Sequence, residues 1–241
     1  AFLSYAAGGL SFRFVKNSLE RILWPYMIWS AVFCILVLLT DGVHDMVSGY
    51  LRNLLVGYPY HFVPLLIFWY LTAPLLIKIG REHGLALLMA IGFYQAFLIA
   101  SRIPASFEWA GGLPGWASAL RPPVLFTTMS DWAVYFPLGL VLTMHDAALR
   151  PALLRRRWAA VAATVGLFLL ASLHAFGVIP APWARFAAPV PLMFLLPVIS
   201  RTSIPWYRRF ETLGRQSYGV YLAHFVAINL MVFLVGSSGL G

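Results

Sequence analysis

Ser217-Tyr-Gly-Val-Tyr-Leu-Ala-His-Phe225 opens an apolar run with no Lys, Arg, Asp or Glu from Gln216 to the end of the chain. The segment before it, Arg201 to Arg215, is basic. A long apolar run with basic residues crowded at one end reads as a membrane-spanning helix whose basic end lies in the cytoplasm. On a helix, Ser217, Tyr221 and His224 fall at i, i+4 and i+7 and share one face. Facing lipid would leave a phenol and an imidazole without partners. The face is therefore expected to look into a bundle, lining a hydrated cavity open to the cytoplasm.

Composition extends that reading to the whole chain. Of 241 residues, 61% are hydrophobic and only 10% charged, where a soluble domain carries about 25% charged residues. The expected fold is all-α, a polytopic transmembrane helical bundle. A net charge of +9 would suggest nucleic acid in a soluble protein. Here Lys and Arg sit between apolar runs, so the positive-inside bias accounts for them and no nucleic-acid partner is expected. Cys34 is the single cysteine, so neither a disulfide nor a thiolate metal site can be built from this chain alone. Glu82-His83 lacks a second His at helical spacing, and no zinc site is expected. Gly111, Gly112, Pro114 and Gly115 are not followed by Lys-Ser/Thr, so they read as a turn and not as a phosphate loop.

Taken in order, Ala1 to Phe12 reads as the second half of a span, as though the chain were cut in mid-helix. A short basic loop follows, Arg13 to Arg21, then a span from Ile22 to Thr40 with Pro25 in its first turn. Asp41 to Tyr60 reads as a loop with a short interfacial helix at Met46 to Val56. Further spans are His61 to Ile77, Gly84 to Ser101, Met129 to Met144, Trp158 to Val178 and Phe186 to Ser200, before the final one. That makes about eight spans, the first partial. One alternate set of loops holds Arg13, Lys16, Arg21, Lys78, Arg81, Arg150, Arg155, Arg156, Arg157, Arg201, Arg208, Arg209 and Arg215, which is 13 of the 17 basic residues. The other set holds Arg52, Arg102, Arg121 and Arg185. The first set is assigned to the cytoplasm, which puts the visible C-terminus on the opposite side.

Several segments resemble the integral-membrane acyltransferase-3 family. Leu213-Gly214 with Ser217-Tyr-Gly-Val-Tyr-Leu-Ala-His224 is similar to a segment near that family's end. Arg21-Ile-Leu-Trp-Pro-Tyr26 resembles the start of its third helix. Tyr60-His61 with Leu65 to Leu76, and Tyr135-Phe-Pro-Leu-Gly139, resemble two further segments in the right order. The resemblance covers most of the chain. It implies ten helices, of which the first and last are absent here, and a single domain over residues 1–241, truncated at both ends. It also implies a bacterial inner-membrane O-acyltransferase with no bound cofactor. Such an enzyme moves an acyl group from cytoplasmic acyl-CoA to a hydroxyl of a cell-envelope glycan or lipid-linked sugar, in contact with membrane lipid. Two departures stand out. The family's catalytic His lies on its first helix and has no match here, and Ser18 replaces the first member of an Arg-x-x-Arg motif whose second member is Arg21. The rival reading is a polytopic transporter or polysaccharide exporter, which predicts inverted repeats and broken helices.

The candidate residues follow. Arg13, Lys16 and Arg21 lie within nine positions and could grip the phosphates of coenzyme A; the competing reading is topogenic charge. Tyr60, His61 and Asp131 are placed on the acceptor side. For His61 the alternative is an interfacial polar residue, and for Asp131 it is a helix cap, if that helix starts at Trp132. His224 is read as a strut, a cavity-lining group or an accessory base beside Tyr221 and Ser217, with that face bordering the acyl path.

Overall fold

The computed structural model describes residues 12–41, 50, 54, 60–102, 115–181, 183–195, 198 and 207–237. The described residues are helical, without strands. The helices are α1 (Phe12–Asp41), α2 (Phe62–Arg102), α3 (Phe126–Trp132), α4 (Tyr135–Met144), α5 (Asp146–Arg155), α6 (Arg157–Ala175), α7 (Ala184–Ala187), α8 (Pro189–Leu195) and α9 (Tyr207–Ser237), with a 3-10 turn at Gly115–Leu120. Val15–Leu39, Phe62–Arg102 and Arg157–Ala175 are long and apolar enough to cross a membrane, and Tyr135–Met144, Ala184–Leu195 and Ser217–Phe233 are shorter apolar helices. This is the helical membrane bundle expected from composition. The partial first span, the interfacial helix around Met46 to Val56 and the Gly111–Gly115 turn fall wholly or mostly outside the described residues.

Several boundaries differ from expectation: of the basic segments read as loops, Arg150 and Arg155 lie in α5, and Arg208, Arg209 and Arg215 lie in α9, and two further differences are larger. Arg13 to Arg21 is not a loop: α1 is helical from Phe12. The segment contains no Gly or Pro, and Lys16 pairs with Glu20 one turn on, Nζ to Oε1 3.8 Å. Pro25 consequently lies in the interior of α1 and not in a first turn. The second difference is α2, whose 41 residues would extend about 60 Å at 1.5 Å per residue, twice the hydrocarbon core. It leaves helical geometry at His83 (φ −129°, ψ 41°). That break divides it into two segments of about 20 residues each, the length of a span. The two spans expected here are thus separated by one residue.

The chain forms two compact units, Ala1–Leu10 with Thr72–Ile204, and Ser11–Leu71 with Pro205–Gly241. In the second, α1 packs on α9 around a core of Ile22, Tyr26, Tyr60, Val63 and Leu222, flanked by Tyr218, Tyr221 and Phe225. In the first, the latter half of α2 runs antiparallel to α3 and α4: Gly80 and Gly84 approach Val141 and Met144 or His145, while Gln95 and Arg102 reach Ser130 and Asp131. A side chain at Gly84 would crowd its neighbours, since an added Cβ would stand 3.0 Å from a Val141 methyl and 3.2 Å from His145 Nε2; glycines four apart allow such close helix approach. The His145 ring donates Nε2–H to the Gly80 carbonyl at 2.8 Å, because a carbonyl can only accept. In the same unit α6 ends on a Schellman motif. Gly177 (φ 73°) donates to the His174 carbonyl and Val178 to that of Leu173, closing the exposed carbonyls of the last turn.

Candidate functional site

The face that α9 buries is set by Tyr218, Leu222 and Phe225. Leu222 is wholly buried, and Tyr218 and Phe225 pack against the core, while Val220 is exposed. Ser217 is exposed, and Tyr221 and His224 are half-buried. The i, i+4, i+7 face is therefore split: its first member turns outward while Tyr221 meets the ring of Tyr60 at 6.1 Å and that of Phe62 at 6.3 Å. Tyr221 thus packs on the same core as Tyr218 and Phe225, with the wholly buried Leu222 between them.

Three phenols tie this unit together, each donating to a main-chain carbonyl. Tyr60 reaches Leu222 at 2.7 Å, Tyr26 reaches Leu54 at 2.7 Å, and Tyr218 reaches Ile22 at 2.9 Å. Burial, with Tyr221 adding to it, pushes the Tyr60 phenol up to about 12, so it remains a neutral donor. Tyr60 is fully buried and His61 is exposed at the turn into α2. His224 lies at 4.1 Å from the Phe225 ring, and its Nδ1 contacts the Tyr221 carbonyl. Because that carbonyl only accepts, Nδ1 carries the proton and Nε2 keeps a lone pair. The bond orients the ring against its own helix.

On the exposed side of α1, Asn17, Glu20, Arg21, Trp24 and Pro25 line an open groove of about 480 Å³. Arg13 belongs to the same face by register, at i−4 from Asn17 and i−7 from Glu20; its side chain lies outside the described residues. Lys16 points about 140° away from Arg21 by helical register and is engaged with Glu20. Lys16 and Arg21 therefore face different ways on this helix.

In the other unit a polar network crosses from α2 to α3. Arg102 Nη1 donates to Asp131 Oδ1 at 2.6 Å and to Ser130 Oγ at 3.0 Å. Asp131 is not a cap: α3 begins at Phe126, five residues earlier, with no side-chain cap. The guanidinium, and not a helix start, holds this carboxylate. Ser130 is fully buried. Gln95, also buried, inserts its amide into the helix ladder. Its Nε2 donates to the Ser130 carbonyl at 3.0 Å, and its Oε1 accepts from the Val134 N–H at 2.8 Å. Those are the two groups that an unbroken helix would join at i→i−4. Ala133 and Val134 keep helical angles, so α3 and α4 follow one helical path in which the Ser130–Val134 rung is opened and bridged by Gln95, while Pro137, having no N–H, leaves out the rung to Ala133 as well. Gln95, Ser130 and Arg102 were missed by sequence reasoning. The available signal was an amide in the middle of an apolar span, a position where polar groups are costly.

No group of three or more metal-ligating side chains occurs among the described residues. The model of a family described as an acyltransferase domain, acyltransferase-3, matches residues 2–241. No curated protein and no solved structure matches the chain.

Proposed function

The chain belongs to the acyltransferase-3 family, and from that premise we propose that it transfers an acyl group from acyl-CoA on the cytoplasmic side to a hydroxyl of a cell-envelope glycan or lipid-linked sugar. Membership over residues 2–241 is the observation that carries this reading; it favours transfer over export. In the reaction a base removes the hydroxyl proton, the oxygen attacks the thioester carbonyl, and coenzyme A leaves as the thiolate, which recovers the proton.

The open groove on α1 supports Arg21 as the donor contact, with Arg13 on the same face. A guanidinium in an accessible groove can pair bidentately with phosphate. Lys16 contributes less, since it is turned aside and paired. Tyr221 and His224 border the acyl path as accessory groups, and Ser217 stands at its margin. For the acceptor, Asp131 in one unit offers a carboxylate, and in the other His61 offers an exposed ring next in sequence to the buried Tyr60. The charge asymmetry favours Gly241 on the non-cytoplasmic side, and the family resemblance implies the bacterial inner membrane as the setting.

The test is incorporation of radiolabelled acetyl-CoA by membranes that carry the chain. Label is expected in a base-labile ester on a glycan fraction, with Arg21→Ala raising the donor KM. Label that never exceeds that of membranes lacking the chain would sink the acyl-transfer reading. Unchanged donor kinetics with a lower protein yield in Arg21→Ala would make that arginine topogenic.

A further inference from the structure

We propose that Arg102, Asp131 and Trp132 form a carbohydrate-binding subsite that Gln95 and Ser130 hold in place. The proposal rests on the acyl-transfer reading only for the use made of the bound sugar.

Four observations lead there. The Arg102–Asp131 pair is not sealed, with side chains 33% and 25% exposed. It is also only half used. Arg102 engages through Nη1, and Asp131 through Oδ1; the remaining guanidinium N–H groups and the second carboxylate oxygen meet no partner among the described residues. A donor edge and an acceptor edge thus lie side by side, the complement of a vicinal diol, in which one hydroxyl donates to carboxylate while its neighbour accepts from guanidinium.

Charge narrows the class. The pair is neutral as a unit, so it offers no net attraction to a phosphate or a free carboxylate and suits a neutral polyhydroxylated ligand. Next along the chain, Trp132 presents an indole that is 45% exposed and rests at 5.6 Å from the Tyr135 ring. An exposed, braced aromatic surface one residue along from hydroxyl-binding groups fits the apolar face of a sugar ring.

The support is rigid. Ser130 Oγ is shared between the Thr127 carbonyl and Asp131, and the Gln95 amide fixes the main chain at Ser130 and Val134, on either side of Asp131 and Trp132. Preorganised polar groups lose less on binding than mobile ones. Gln95 and Ser130 are therefore positioning residues, and contact with the ligand falls to Arg102, Asp131 and Trp132.

The test is binding of maltotetraose, chitotetraose and a rhamnose tetrasaccharide to the full chain in phosphatidylcholine nanodiscs, read by saturation-transfer NMR without acyl donor. At least one tetrasaccharide is expected to bind, and its per-O-methylated form is not. Trp132→Ala and Asp131→Asn should each weaken binding by about tenfold or more, the loss expected for a contact to a charged or tightly packed group. Trp132→Phe, which keeps a ring at this exposed position, should retain most of it. The idea is overturned if no tetrasaccharide binds, if the methylated probe binds equally well, or if both weakening variants bind as the parent does. A glycerol headgroup also carries a vicinal diol. Competition by phosphatidylglycerol as strong as by free sugar would assign the subsite to lipid and overturn it as well. Sugar binding with no acyl transfer would leave this inference standing while the catalytic reading fell.

Discussion

The two units bury polar groups by opposite means. Around Tyr60 each phenol hands one proton to one main-chain carbonyl, and the three bonds share no atom. Around Ser130 the groups are interlocked: Arg102 serves two acceptors, Ser130 Oγ lies within reach of two more, and Gln95 stands inside a helix. Independent bonds fail one at a time. An interlocked set is expected to fail together, because each member leaves others buried and unpaired. Stability should therefore be concentrated in individual side chains of the unit around Ser130 and spread thinly over the unit around Tyr60.

The sharpest way to break that contrast is Gln95→Leu. The substitution deprives the Ser130 carbonyl and the Val134 N–H of their partners, at about 1–3 kcal/mol for each buried unpaired group. A loss of about 2–4 kcal/mol is expected in denaturant unfolding of the solubilised protein. A loss within measurement error would mean that the two groups re-form their own helical bond once the amide is gone. The network would then be dispensable and the contrast would collapse.

Next comes Arg21→Ala, in the groove on α1. Loss of a charge-assisted contact to phosphate should raise the donor KM about tenfold while leaving the melting temperature close to that of the parent, since the side chain is exposed. Steady-state kinetics at varied acyl-CoA with fixed acceptor separates the two effects.

Tyr60→Phe tests the tolerant side of the comparison. The ring stays, with its edge contacts to Tyr26, Phe33 and Phe225. Only the bond to the Leu222 carbonyl goes, and a neutral hydrogen bond contributes about 1 kcal/mol. A cost equal to that of Gln95→Leu would show that the phenols are coupled after all.

The sequence was legible where one physical term dominates. Hydropathy placed the apolar helices, because crossing hydrocarbon requires length and an internally bonded backbone. It could not place their ends: Arg13 to Arg21 continues α1, since charged residues are good helix formers and nothing in the segment stops the helix. On α9 it singled out Ser217, Tyr221 and His224, of which Tyr221 and His224 are half-buried and Ser217 exposed, but not the wholly buried Leu222 between them. Asp131 was noticed as an acid in an apolar setting, yet its partner could not be. Arg102 is 29 positions away, and no periodicity links residues brought together by an antiparallel return. Gln95 was overlooked for a related reason, since its function depends on the helix it enters.

Lys16→Ala carries the smallest expected effect and sharpens the reading of α1. Lys16 and Arg21 were grouped by sequence proximity, but five residues turn a helix by about 140° from start to finish, so they face different ways. Lys16 is 63% exposed and its partner Glu20 51% exposed, with 3.8 Å between them. An exposed i, i+4 pair of this kind contributes about 0.3–0.5 kcal/mol and is screened by salt. The variant should thus unfold within about 0.5 kcal/mol of the parent, with the difference vanishing in high salt. Its donor KM should stay within about twofold of the parent's, against about tenfold for Arg21→Ala. Equal KM effects in the two variants would mean that the donor is drawn by the summed charge of the helix end and not by the groove that holds Arg21. Relief of both effects at high ionic strength would mark that long-range attraction, whereas a bidentate contact in the groove keeps most of its advantage.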